Sequence, residues 1–93
     1  MQVRGANVVY LDVREPHEWN LGHLPRAILI PRGTLEGAIE ARVPRDQKLV
    51  IYCASGNRSA FAADTLQQMG YKEVASMSGG FRAWAEAGWE VEG

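Results

Sequence analysis

Cys53 is the only cysteine among 93 residues, and it stands in the stretch Cys-Ala-Ser-Gly-Asn-Arg-Ser, residues 53–59. The apolar run Leu49 to Tyr52 precedes it, and Ala60 to Met69 behind it reads as a helix. A thiol between a strand end and a helix start faces backbone amides that have no helical partners of their own. Gly56 permits a tight bend, so amides of residues 54 to 59 are free to turn toward one point. The amino terminus of the helix carries partial positive charge, and Arg58 is expected to add a full one. A thiol in such a cradle gives up its proton easily and becomes a nucleophile. The same cradle suits an anion such as a persulfide or an oxyanion. A lone cysteine without these neighbours is ordinarily a small packing residue. The combination of strand end, glycine, arginine and helix start points instead to a reactive one.

The rest of the composition narrows the chemistry. The length is that of one domain. Apolar residues make up 46% of the chain, charged residues 23%, and the net charge is −1. No basic stripe marks a nucleic-acid or membrane surface, and no apolar run is long enough for a membrane span. A single cysteine forms no internal disulfide, which suits a reducing, cytoplasmic setting. His17 and His23 are the only histidines; six positions apart, they fit no common metal-ligand pattern and read as surface and turn residues.

The elements that would position the cysteine alternate along the chain. Short apolar runs at 8–13, 27–30, 48–52 and 73–77 read as strands. Helices are expected at 16–22, 34–43, 59–69 and 79–88, each closed by glycine or followed by proline. Within them, Phe61, Ala62, Thr65, Leu66 and Met69 form one inward stripe, and Phe81, Trp84 and Ala85 another. Continuous apolar strands alternating with helices predict a single α/β domain, an open parallel sheet with helices on both faces. Sites in such sheets form beyond the carboxyl ends of the strands. Asp12 and Arg14 follow one such end and Cys53 another. Asp12 and Arg14 read as a supporting ion pair that fixes the loops, with Glu18 as a further partner of Arg14. Trp19 and Trp89 are expected to be partly exposed, and Arg26, Arg32, Arg42 and Arg45 to form a solvated face.

The loop resembles the active-site loop of rhodanese-like sulfurtransferases, with their C-x-x-G-x-R pattern. Leu11 to Pro31 (LDVREPHEWNLGHLPRAILIP) is similar to that family's first signature, and Met77 to Val91 (MSGGFRAWAEAGWEV) to its carboxy-terminal one. The resemblance implies a rhodanese-like sheet of four to five strands and a Cys53 that carries sulfur as a persulfide. It implies that Ala54, Ser55, Gly56, Asn57, Arg58 and Ser59 hold the persulfide, and that no metal or organic cofactor takes part. The implied partners are a small sulfur donor, thiosulfate or a persulfide, and a thiol, cyanide or protein acceptor. Related phosphatases and arsenate reductases place five residues between cysteine and arginine; here four intervene, Ala54 to Asn57. That smaller ring suits one sulfur better than a tetrahedral oxyanion. A non-catalytic binding or regulatory module and a phosphatase relative remain as alternatives.

Three departures from the family pattern stand out. Ala54 occupies a position that is often basic in members acting on thiosulfate, which favours a protein-bound donor. Arg26 stands where a small residue is usual, and Leu29 where asparagine is common. The strand and helix that ordinarily open the domain shrink to Met1 to Asn7, as in a domain belonging to a longer protein.

Overall fold

The computed structural model describes residues 8–93. Four strands form the sheet: β1 (Val8–Asp12), β2 (Ile28–Leu29), β3 (Lys48–Tyr52) and β4 (Val74–Ser76). They lie in the order β2-β1-β3-β4, and every pairing is parallel. The expected sheet of four to five strands thus has four among the described residues; residues 1–7 lie outside them. The helices are α1 (Pro16–Asn20), α2 (Leu35–Arg42), α3 (Asn57–Gln68) and α4 (Gly80–Glu86), with a 3-10 turn at Arg32–Thr34 leading into α2. The register aligns Asp12 with Tyr52, so β1 and β3 release their chains at the same end of the sheet.

Pleating sorts the side chains between two faces. Leu11, Leu49 and Ile51 point to one side, where they are buried with Leu35 and Ile39 of α2 and Ala62 and Leu66 of α3. Tyr10 and Val50 point to the other. There α4 sets Trp84 edge-on to Tyr10, with ring centroids 6.3 Å apart. Among the described residues, α4 does not cover this second face fully. An apolar groove of about 530 Å³ remains between β4 and α4, walled by Val50, Ala75, Met77, Trp84 and Trp89.

Two side chains depart from the expected stripes. Phe61 is 71% exposed rather than inward, and Ala85 is exposed as well. On α3 the buried stripe is Ser59, Ala62 and Leu66, a 3–4 spacing that leaves Phe61 a full residue, about 100°, off the core. Arg26 is the one described non-glycine residue with positive φ, at 63°. The chain therefore adopts at Arg26 the left-handed bend for which a small residue is the usual solution.

The first turn of α4 docks on the chain leaving β3. Phe81 N–H donates to the Cys53 carbonyl at 2.7 Å, and Arg82 N–H to the Ala54 carbonyl at 3.0 Å. This close approach needs a residue without a side chain. A Cβ at Gly80 would stand 2.4 Å from the Cys53 oxygen and 2.8 Å from the Ala54 oxygen, and Gly80 has φ of 58°. Gly80→Ala is therefore expected to lower stability by about 2 kcal/mol or more. Urea denaturation of the variant checks this; an unchanged midpoint would mean that α4 is not seated on the loop as described.

Candidate active site

Cys53 lies one residue past β3, is 1% exposed, and is enclosed by the loop that leads into α3. Gly56 is the residue that turns the loop: it caps α3 with φ of 119°, a conformation that a side chain would strain. The turn brings two amides onto the sulfur. Gly56 N–H donates to Sγ with N···S of 3.1 Å, and Ser59 N–H with N···S of 3.4 Å. The Ser59 hydroxyl stands 3.6 Å from Sγ.

These donors act on the acidity of the sulfur. Burial alone pushes the Cys53 thiol up, because it disfavours the anion. The Ser59 amide and hydroxyl and the Gly56 and Ser55 amides act the other way and prevail, so the thiol lies below its ordinary value. The Arg58 charge also acts on the sulfur, but it comes behind these hydrogen bonds. Its guanidinium turns to Glu18 of α1, in a bidentate pair at 2.8 and 2.9 Å. Glu18, expected beside Arg14, is thus the partner of Arg58. Its Oε1 also accepts the Glu15 amide at 2.9 Å, which closes a capping box on α1. The pair ties α1 to the start of α3 across the mouth of the loop.

Arg14 and Asp12 form a separate, buried unit. The Arg14 guanidinium donates to both Asp12 carboxylate oxygens at 2.8 to 3.1 Å, and the Arg14 amide donates to Oδ1 at 2.9 Å. A further guanidinium N–H reaches the Gly22 carbonyl at 2.6 Å. The Arg14 guanidinium carbon lies 4.4 Å from the centre of the Phe81 ring and 5.6 Å from that of Tyr52. Since Phe81 donates its amide to the Cys53 carbonyl, Arg14 braces the wall of the loop and makes no contact with the sulfur. Of the remaining loop residues, Ser55 and Asn57 are exposed and Ala54 is half-buried.

One residue next to the site was absent from the sequence reading. Ser76 ends β4, and its hydroxyl lies 2.7 Å from that of Ser59. The signal was available, since Ser76 follows the same strand-end rule that singled out Asp12 and Cys53. His17 and His23 approach no metal arrangement: among the described residues no group of three or more His, Cys, Asp or Glu side chains converges on one point. His23 instead stacks on Trp19, with ring centroids 3.5 Å apart. Among the described residues no helix is long and apolar enough to cross a membrane.

Comparison with known proteins follows the same lines as the geometry. The family model of the rhodanese-like domain matches residues 2–87. A sulfurtransferase of Allochromatium vinosum is 38% identical over 82 residues, covering 88% of this chain and 76% of that protein. The probable adenylyltransferase/sulfurtransferase MoeZ of Mycobacterium tuberculosis is 36% identical over 83 residues; the match takes in 88% of this chain but only 21% of MoeZ. Among solved structures, a Rhodopseudomonas palustris protein of unknown function, described as a possible tyrosine phosphatase, has a TM-score of 0.85 and 43% identity. That match covers 94% of this chain and 72% of the other.

The Glu18–Arg58 pair has a pH signature. Glu18 is held down at about 2, first by the hydrogen bonds from Arg58, against an ordinary value of 4.5. A carboxyl with a depressed folded-state value stabilises above its unfolded value, and that stabilisation disappears as pH falls through the folded one. Wild-type protein is thus expected to lose melting temperature more steeply than Glu18→Gln between about pH 4.5 and 2. Melting curves of the two proteins across that window check it; parallel declines would mean the pair is not held in solution.

Proposed function

Since the chain belongs to the rhodanese-like domain family, we propose that it is a sulfurtransferase that carries a sulfane sulfur on Cys53. The thiolate attacks the outer sulfur of a donor, thiosulfate or a persulfide. A Cys53 S–S bond forms while the donor's own bond to that sulfur breaks, and the donor remainder leaves with the electron pair as sulfite or a thiolate. In the second half, cyanide, a thiol or a protein acceptor attacks the terminal sulfur, and Cys53 leaves as the thiolate it began as. The two halves balance without an external oxidant, metal or organic cofactor.

The observation that carries this reading is the convergence of the Gly56 and Ser59 amides on Sγ at 3.1 and 3.4 Å. Fixed dipoles of this kind stabilise an anion without reorganising when it forms. They serve the thiolate and, in this reading, the persulfide formed on it. Ala54, Ser55 and Asn57 complete the loop that holds the persulfide, Arg58 fixes it through Glu18, and Asp12 and Arg14 support it.

The donor and acceptor follow from the charge around the loop. Ala54 brings no cation, Arg58 is neutralised by Glu18, and Arg14 by Asp12. A protein-borne or small persulfide therefore fits better than thiosulfate, a doubly charged anion. The resemblance to part of MoeZ, a probable adenylyltransferase/sulfurtransferase, supports sulfur transfer as the activity; a protein acceptor and a reducing, cytoplasmic setting belong to the same proposal. The description of the Rhodopseudomonas palustris protein favours a second reading, phosphate-ester hydrolysis by the same thiolate. The four residues between Cys53 and Arg58 argue against it.

Cys53→Ser tests the proposal. A hydroxyl nearly matches the thiol in size but forms no persulfide, so transfer from cysteine persulfide or thiosulfate to cyanide should fall to the uncatalysed rate. Circular dichroism should remain that of the wild type. Transfer that survived in the variant would overturn the reading. Phosphate-ester hydrolysis that depended on Cys53, in place of sulfur transfer, would establish the second one.

A further inference from the structure

The Ser59 hydroxyl has more neighbours than it can serve at once. It owns one hydrogen and two lone pairs. Around it stand the Gly56 carbonyl at 3.2 Å, the Ser76 hydroxyl at 2.7 Å and Cys53 Sγ at 3.6 Å. The carbonyl only accepts. While Cys53 is a thiol, its S–H is able to donate to the Ser59 oxygen, and the Ser59 hydrogen then points to Gly56 or Ser76. Once Cys53 is an anion it also only accepts, so the Ser59 hydrogen must turn to the sulfur for that bond to form. The Ser59 oxygen then has one remaining hydroxyl neighbour able to donate to it, Ser76.

We propose that Ser76 is a positioning residue for the Cys53 thiolate, acting through Ser59. In the anionic state the donors run one way, from Ser76 O–H to the Ser59 oxygen and from Ser59 O–H to the sulfur. Each bond in such a chain polarises the next, which strengthens the terminal one. A charged sulfur, which only accepts, fixes the chain in this direction and gains most from its polarisation, so Ser76 favours the anion. Position supports the role: Ser76 is half-buried at the end of β4 and is held by the backbone of a parallel ladder to β3, the strand that delivers Cys53. It lies 17 residues from Ser59 and belongs to none of the loop's own residues.

The charged groups that act on the sulfur stand apart from this chain. Arg58 on α3 is paired with Glu18 of α1, with Glu15 beside them. Asp12 and Arg14 at the end of β1 are paired with each other. On α4, Arg82 contributes its backbone amide to the Ala54 carbonyl. Ser76→Ala alters none of these, and it removes no charge.

The inference needs Cys53 only as an ionising thiol, so its test reads alkylation rather than sulfur transfer, and a failure of the sulfurtransferase reading would leave it standing. Iodoacetamide rates are measured against pH for wild type, Ser76→Ala, Ser59→Ala and the double variant. Ser76→Ala is expected to move the titration midpoint upward and to slow alkylation at neutral pH about threefold to fivefold, the worth of one net hydrogen bond. The rate at high pH, where every thiol is ionised, should not change. In the Ser59→Ala background the Ser76→Ala change should have no further effect, because the link is already gone. An unshifted midpoint in Ser76→Ala overturns the inference, as does an equal shift with and without Ser59.

Discussion

The parts around Cys53 answer to one constraint: a buried sulfur can carry negative charge only if the backbone supplies what water no longer can. Desolvating a thiolate costs several kcal/mol unless hydrogen bonds compensate. Here the compensation comes from amides at 3.1 and 3.4 Å, which the left-handed Gly56 turns inward just before α3 begins. The neighbouring parts exist to hold that turn. β3 delivers the sulfur from the middle of the sheet, between β1 and β4. α4 clamps the Cys53 and Ala54 carbonyls through its own first amides, so the chain cannot rotate those peptide planes without breaking them.

The charges do a different job from the dipoles. Arg58 is matched to Glu18 and Arg14 to Asp12, and the first of these pairs joins stretches 40 residues apart. Glu18 belongs to a helix of five residues, too short to persist alone. Its bonds to Arg58 and to the Glu15 amide secure α1, and with it one wall of the loop's mouth. The buried Arg14–Asp12 pair is satisfied by four hydrogen bonds and by the Gly22 carbonyl, so it specifies the turn between β1 and α1 rather than presenting charge to a substrate. The result is a thiol lowered by hydrogen bonds with little net charge around it, which is the basis for proposing a protein-borne or small persulfide over thiosulfate.

Much of this was legible in the sequence because the strands are continuous apolar runs and glycine and proline mark their ends. The alternation of elements, the parallel sheet and the place of Cys53 at a strand end follow from that pattern. What the pattern did not reveal depends on side-chain direction. Phe61 looks inward on a stripe of apolar letters, yet Ser59 and Ala62 own the buried face, because the helix begins at Asn57 and its phase is set by the docking of Ser59 on the sulfur. Arg58 looks like the cation of the site until Glu18, 40 residues earlier, takes it. Ser76 is a common residue in a short strand, and only the strand pairing brings it beside Ser59. Arg26 shows the opposite case: its departure from the usual small residue was visible in the sequence, and the positive φ found there is its structural counterpart.

The central claim is that amide and hydroxyl dipoles, more than the charge of Arg58, lower the Cys53 thiol below its ordinary value. The most direct test removes both members of the neighbouring pair together, as Glu18→Gln/Arg58→Gln, so that no lone charge is left behind. The pH dependence of Cys53 alkylation is then compared with that of the unmodified protein. The account predicts that both titrate clearly below the free-thiol value of ~8.5, and within about half a pH unit of each other. A double variant whose midpoint rose to the free-thiol value or beyond, while its circular dichroism stayed native, would show that the arginine supplies the stabilisation and would contradict the account.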